Sequence, residues 1–489
     1  MKLRVKKIKL LAGRPVCMIH EETAKKLSLH VGNRVSIEKN SKKIISIVDT
    51  VSKIINKNEI AVSEDIAENL NLKNKNIVNV RIIKAPYSIV LIKKKLNGGR
   101  LNKQEINEII ENIANNSLTE TEIAFFVSAV YTKGMSLEET KNLTESMINA
   151  GNRLKLNGKI YDKHSIGGVA GNRTTPIVVS ICSAAGLKIP KTSSRAITSA
   201  SGTADVIETI AKVNFKIPEI KKIVNKTNAC LVWGGALGLA PADDKIIKIE
   251  NIVNIDSTSQ LLASILSKKI SVGSKYILID IPYGNSGKVS KKEAIKLKRY
   301  FLQLGNKFDL HLEVVLTEGN EPIGNGIGPV LEMKDIIKVL KTDNPSKDLE
   351  EKSLFLAGKL LGLSGERKSY EKAKEILYSG KAFKKFNEII KAQGGNINRL
   401  NKLKPKFSHN IKIKRKAKIK HIDNKLISRL ARVAGCPEDK AAGIYIYKKK
   451  NQLANKNETI LTIYAVSKEK LEQAVRFYKD NENKIVEFY

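Results

Sequence analysis

KYILIDIPYGNSGKVS, residues 275–290, runs an apolar strand into a Gly/Asn/Ser turn that ends at Lys288. LHLEVVLTEG (310–319) and IVVSICSAAGL (177–187) belong to the same alternation of strands and helices, which extends from about Ile160 to Leu340. Such alternation predicts an α/β domain around a mixed, mostly parallel sheet. In open sheets of this kind the loops at strand ends carry the sites.

Working outward, the pattern changes on both sides. Residues 1–85 hold short β-like runs (KKIKLLA, RVSIEK, IISIVDTV, EIAVS, IVNVRII) and one helix near Glu21–Leu29, which predicts a β-rich N-terminal domain. It carries no catalytic-looking cluster and is assigned to assembly. Residues 86–159 repeat apolar side chains at three-to-four spacing, and Ser117 and Ser136 precede acidic residues as at helix starts. They predict a helical domain of three or four helices, which can also take in residues after 205. Residues 160–392 form the α/β part, helical from Met333 onward. Residues 393–489 open with a polar connection and read as a small α+β C-terminal domain. The fold class is therefore α/β and multidomain.

The chain has 489 residues, 42% of them hydrophobic, which fits a globular protein and excludes a disordered one. Its four cysteines lie far apart with no CxxC pair, which excludes a disulfide scaffold and a cysteine zinc site. No apolar run reaches the roughly 18–20 residues of a membrane helix, so a soluble cytoplasmic protein without membrane partners is expected. Lys+Arg total 87 against 49 Asp+Glu, a formal charge of +38. Lysine is spread along the whole chain and aromatics are only 5%, a thin basis for base stacking. The densest basic run, Lys412–Lys420, alternates with Ile411, Ile413 and Ile419 as a half-exposed strand would. A positive field of this size still draws anionic substrates toward a cleft.

Four stretches carry chemistry. KHSIGGVAGN (163–172) places three glycines within five residues beside Lys163 and Ser165, a composition that lets backbone approach an anion closely; a tight strand–helix turn would need the glycines alone. SSRAITSASGTAD (193–205) holds six hydroxyl residues and Arg195, neutral donors and one guanidinium suited to an oxyanion. Asp256, followed by Ser257 and Thr258, fits either a helix N-cap or a functional carboxyl, and Ser264 and Lys268 share one helix face beyond it. The turn ending at Lys288 is the fourth. The six histidines are scattered and no HExxH, GxSxG or GxxxxGK[ST] occurs, so no metal and no cofactor are expected.

Together these stretches resemble the thymidine/pyrimidine-nucleoside phosphorylase family over roughly residues 86–489. KHSIGGVAGN is similar to its phosphate-loop motif, SSRAITSASGTADVIE to its serine–arginine signature, and WGGALGLAPADD (233–244) and SILSKK (264–269) also match. AGRPVCMIHEETAKKLSLHVGNRV (12–35) resembles the N-terminal domain of the archaeal branch that acts on nucleoside 5′-monophosphates. Two departures from the nucleoside enzymes point the same way. Ser194, Ala196, Thr198 and Ala200 interrupt their glycine-rich signature, and Ile249 stands where they carry a base-contacting arginine.

The resemblance implies an all-helical domain beside a larger α/β domain, an active site in the cleft between them, and a homo-oligomer built from dimers. It implies phosphorolysis of the N-glycosidic bond of AMP, with CMP and UMP as further substrates, to free base and ribose 1,5-bisphosphate in nucleotide degradation and salvage. Phosphate is the nucleophile, so no Ser or Cys nucleophile is required. By resemblance Asp256 protonates the leaving base. Gly168, Ser194, Arg195, Ala196, Ile197, Thr198, Ser199, Thr203, Ser264 and Lys288 hold the nucleotide, and Lys163, Ser165, Ser193 and Lys268 hold phosphate. Lys288 and Arg195 would offset anion–anion repulsion. Three alternatives stand beside this one: a pyrimidine-nucleoside phosphorylase; a phosphoribosyltransferase, whose acidic metal-binding cluster is not evident; and a basic RNA-binding protein, which predicts salt-dependent RNA binding and no nucleotide turnover.

Overall fold

The computed structural model describes every residue except 11–13, 197–198 and 254. Residues 1–151 with 240–264 form one compact unit, and residues 152–239 with 265–489 form another.

The chain begins with a closed six-stranded barrel, β1 (Lys2–Lys7), β2 (Val16–His20), β3 (Arg34–Lys39), β4 (Lys42–Val51), β5 (Glu59–Val62) and β6 (Ile77–Ile83), in the order β1-β5-β2-β4-β3-β6. KLRVKK alternates, so Leu3 and Val5 point inward while Lys2, Arg4 and Lys6 face solvent. Strand β1 pairs with β5 on one side and β6 on the other, which removes both edges. The first strand therefore lies ahead of the expected KKIKLLA run, and VCMIH (β2) is a strand that the reading passed over. Helices α1 (Glu21–Lys26) and α2 (Glu64–Asn69) accompany the barrel.

Four helices follow: α3 (Ser88–Leu96), α4 (Lys103–Ala114), α5 (Glu120–Lys133) and α6 (Leu137–Asn149). Asn102, Thr119 and Ser136 open α4, α5 and α6, each with a glutamate three residues on that closes a capping box. Ser117 is not a cap: its hydroxyl bonds Asn115, and Thr119 takes the helix start.

The α/β part contributes β7 (Tyr161–Ser165), α7 (Thr174–Ala184), β8 (Ile189–Ser193), α8 (Thr203–Ile207), α9 (Ile217–Thr227) and β9 (Ala229–Trp233). Helix α10 (Pro241–Val253) then returns to the first unit, where Ala242, Ile246 and Ile249 join the core of Ile106, Phe126 and Leu143. After α11 (Thr258–Ser271) come β10 (Tyr276–Tyr283), α12 (Lys291–Asn306), β11 (His311–Glu318), the two-residue β12 (Gly326–Ile327), and helices α13 (Pro329–Lys341), α14 (Lys347–Gly362), α15 (Ser369–Tyr378) and α16 (Lys381–Ala392).

Strands β11-β10-β7 form one parallel sheet and β8-β9 a second parallel pair. A parallel bridge between Ile160 and Lys188 joins the starts of β7 and β8. Strand β10 is buried on both faces, as a run that is apolar apart from Asp280 requires. Within the alternation, IVVSICSA (177–184) is the body of helix α7; an apolar run of that length exceeds an ordinary strand.

The C-terminal part is built from β13 (Phe407–Lys412), β14 (Ala417–Ile422), α17 (Asn424–Val433), β15 (Gly443–Ile446), β16 (Leu453–Ala454), β17 (Thr459–Ala465), α18 (Lys468–Ile485) and β18 (Val486–Phe488). Its sheets run β12-β15-β17-β13 and β16-β14-β18. The basic run Lys412–Lys420 is thus two strands of different sheets rather than one. The expected alternation holds, with Ile411, Ile413 and Ile419 all buried. Among the described residues no helix is long and apolar enough to cross a membrane, and no group of three His, Cys, Asp or Glu is placed to hold a metal ion.

Candidate active site

In the second unit the chemistry-bearing loops leave the carboxyl ends of parallel strands. The loop after β7 needs its glycines: Gly167, Gly168 and Gly171 have φ of 86°, 89° and 69°. Gly168 also approaches the 284–288 turn, where an added Cβ would lie 2.5 Å from the Lys288 backbone nitrogen. Two predicted residues, Gly168 and Lys288, are thereby brought together, both exposed. Gly168→Ala is expected to weaken phosphate or AMP binding about tenfold or more, since a forced left-handed residue costs about 1–3 kcal/mol. Calorimetric titration checks this, and unchanged affinity for both ligands would remove the loop from the site.

Ser165 ends β7 half-buried. Lys163 does not reach the loop surface. It is 1% exposed, and its Nζ donates to Thr174 Oγ1 at 2.9 Å, at the start of α7. Burial pushes this ammonium down to about 8 against the pull of Asp280. It supplies positive field from beneath the loop instead of a direct contact.

A layer of buried charge extends this field. Asp162 accepts Lys191 Nζ at 3.1 Å and forms an ion pair with Lys269 Nζ at 2.7 Å, with all three side chains at most 4% exposed. Burial alone would raise the Asp162 carboxyl; the two ammonium groups outweigh it and hold it below the usual carboxylate range. Asp280 accepts Thr317 Oγ1 at 2.6 Å and faces Lys352 Nζ at 3.5 Å. Lys163, Lys191, Lys269 and Lys352 thus share two carboxylates, while burial pushes Lys269 down to about 7 and lowers Lys352 as well.

The loop after β8 is held by carboxylates. Arg195 was expected to meet an anionic substrate, but its guanidinium forks onto Glu208 at 2.7 and 2.6 Å, reaches Asp205 at 3.1 Å and lies 4.9 Å over the Trp233 ring. In-register pairing of Ser193 with Trp233 sets that stacking. Lys440 Nζ joins Glu208 at 2.9 Å. Asp205 also accepts the Ala196 and Gly202 backbone N–H groups at 2.7 and 2.9 Å. Arg195 is therefore a structural tie of the loop. Its partners were legible, because Asp205 and Glu208 sit three apart in the same quoted stretch. Farther back, Arg173 pairs with buried Glu332, whose Oε1 accepts Ser201 Oγ at 2.6 Å. Ser193 Oγ donates to Val232 O at 3.1 Å and Ser199 Oγ to Ser201 O at 2.8 Å. Ser194 is exposed, Ala196 and Thr203 are half-buried, and Ile197 and Thr198 lie outside the described residues.

Arg195, with Lys440, holds the Glu208 carboxyl at about 2, below its ordinary 4.5. A depressed carboxylate contributes stability that is complete above about 4.5 and lost as pH falls toward about 2. Glu208→Gln is thus expected to lower the melting temperature at pH 6 and to have a smaller effect near pH 3. Thermal unfolding at both values checks the sign.

Lys268 is half-buried on α11. In the first unit, Ser264 Oγ donates to Asp243 Oδ2 at 2.9 Å. Ser257 caps α11, accepting Gln260 N–H at 3.1 Å, and Asp256 beside it is exposed. Ile249 is buried in the helical core.

Comparison with known proteins agrees with this layout. Residues 89–151 match the helical bundle domain of a glycosyl transferase family, 157–383 its a/b domain, and 418–483 the pyrimidine nucleoside phosphorylase C-terminal domain. The solved anthranilate phosphoribosyltransferase (TrpD) of Thermus thermophilus shares the fold at a TM-score of 0.51 and 16% identity, over 62% of this chain and 99% of that one. AMP phosphorylase of Thermococcus kodakarensis is 43% identical over 97% of this chain and 96% of its own length. AMP phosphorylase 1 of Archaeoglobus fulgidus is 39% identical over 95% and 93%. AMP phosphorylase of Methanocaldococcus jannaschii is 41% identical over 94% and 92%. At such identity along almost the entire length, the chain belongs to the AMP phosphorylase family.

Proposed function

We propose that this protein catalyses phosphorolysis of AMP, releasing adenine and forming ribose 1,5-bisphosphate, with CMP and UMP as further substrates. The observation that carries the reading is the 43% identity to an AMP phosphorylase over 97% of the chain. The close approach of exposed Gly168 to the Lys288 turn supports it, as a place where backbone and an ammonium group converge on one oxyanion.

Cleavage of the N-glycosidic bond builds oxocarbenium character at the anomeric carbon. The attacking phosphate oxygen forms the new C–O bond as the C–N electron pair leaves with the base. Asp256 supplies the proton that makes the base a neutral leaving group. Lys288, Ser165, the Gly168 backbone and the hydroxyls of Ser193, Ser194, Ser199 and Thr203 hold the two anions. Ser264 and Lys268 complete the set on α11. Arg195 acts one step back, fixing the loop that carries those hydroxyls. Positioning both reactants supplies about 7–11 kcal/mol of the barrier. The protein is a homo-oligomer built from dimers.

Phosphate-dependent adenine release from AMP, with adenosine and uridine assayed in parallel, tests the reading. Release from AMP alone supports it. Activity on uridine but not AMP would make the protein a pyrimidine-nucleoside phosphorylase, and no release from any of the three would overturn both.

A further inference from the structure

Asn424 is the first residue of α17, in the C-terminal part, and is 2% exposed. Its Oδ1 accepts the Ala170 backbone N–H at 3.0 Å. Its Nδ2 donates to the Gly319 carbonyl at 2.9 Å and to Ser286 Oγ at 3.0 Å. Those three partners lie on the loops that follow β7, β11 and β10, the three strands of one parallel sheet. A single amide thus ties together the glycine loop, the Lys288 turn and the segment after β11. Only an amide can serve all three, since it offers one acceptor and two donors on one planar group. Neighbouring ties repeat the pattern. His421 Nδ1 lies 2.6 Å from Glu321 Oε1, and the Ile422 backbone N–H donates to Glu321 Oε2 at 3.1 Å. Ala170 and Ala200, one from each substrate loop, are buried in the hydrophobic cluster of the C-terminal part.

We infer that Asn424 is a positioning residue for oxyanion binding: it holds the glycine loop against the Lys288 turn so that both present their donors to one phosphate group. This inference rests on the phosphorolytic reading of the site. Asn424 lies under the loops and acts through Ala170 and Ser286.

The test titrates the full-length protein with inorganic phosphate and, separately, with AMP, for wild type, Asn424→Asp and Ile427→Ala. Asn424→Asp keeps the shape but replaces two donors with an acceptor that faces the Gly319 carbonyl. It is expected to weaken binding of at least one ligand about tenfold, since a buried acceptor left unmatched costs roughly that much. In turnover the loss falls on KM rather than kcat. Ile427, fully buried on the same helix, controls for damage to packing: Ile427→Ala lowers the melting temperature and leaves both affinities unchanged. Affinities of Asn424→Asp within about twofold of wild type for both ligands would overturn the inference. So would an equal loss of affinity in Ile427→Ala, or a wild type that binds neither ligand. If Asn424→Asp does not fold, Ser286→Ala removes one of the three bonds and decides: a loss of about threefold supports the tie, and none overturns it. A wild type that binds phosphate but releases no adenine would sink the phosphorolytic reading while leaving this comparison intact.

Discussion

Asp256→Asn is expected to lower the turnover of AMP by about 10²–10⁴-fold, the range that a positioned proton donor contributes. Adenine cannot leave as an anion at a useful rate, and asparagine has no proton to give it. The same substitution, near-isosteric and at an exposed position, is expected to shift the melting temperature far less than it shifts turnover. Asp256 itself is exposed, so no buried cavity forms. Turnover at saturating AMP and phosphate is the measurement. A nucleotide whose purine is methylated at N7, and so leaves without protonation, separates proton donation from binding. It should be cleaved by the variant at close to the wild-type rate. Equal losses on both nucleotides would make Asp256 a binding residue, and a turnover within about threefold of wild type would move the proton donor elsewhere.

The second large effect is one of stability. Asp162→Asn removes the carboxylate that accepts both Lys191 and Lys269, each all but fully buried. Lys191 would then lose its counter-charge in the interior, and Lys269, which burial pushes down to about 7 even beside Asp162, would have to give up its proton. Breaking a buried ion pair in this way costs about 3–5 kcal/mol, enough to threaten folding of a marginally stable chain. Urea unfolding measures it. Lys269→Met in the same background should recover part of the loss by removing one of the two stranded amines. A double variant no more stable than Asp162→Asn alone would mean that the penalty is not electrostatic.

The parts of the fold that were legible are those whose burial is written locally. β10 and β11 are largely apolar runs of strand length, and α4 to α6 carry apolar residues at helical spacing with polar caps. Segment 177–187 is equally apolar, but only its length separates helix from strand. VCMIH is a short run between Pro15 and the acidic start of α1, with little alternation to mark it. In the site, residue types were readable and directions were not. Lys163 looks like a phosphate ligand in sequence, yet one residue of strand pleat turns it under α7. Arg195 looks like an anion clamp, but Asp205 and Glu208 compete for its guanidinium. Asn424 gives no local signal at all, because its partner Ala170 lies 254 residues away.

Strand β12, only Gly326–Ile327, comes from between β11 and α13, yet it pairs with β15 and forms the edge of the C-terminal sheet. Ile327 is buried in that cluster with Ala170 and Ala200. The contiguous tail is consequently not a cassette. A chimera that took residues from 407 onward from a relative would receive a sheet fitted to another protein's edge strand and another protein's loops. The unit that can be exchanged intact includes Gly326, Ile327, Ala170 and Ala200. A substitution in the tail's core is therefore felt by the loops that Ala170 and Ala200 anchor there, and the reverse holds as well.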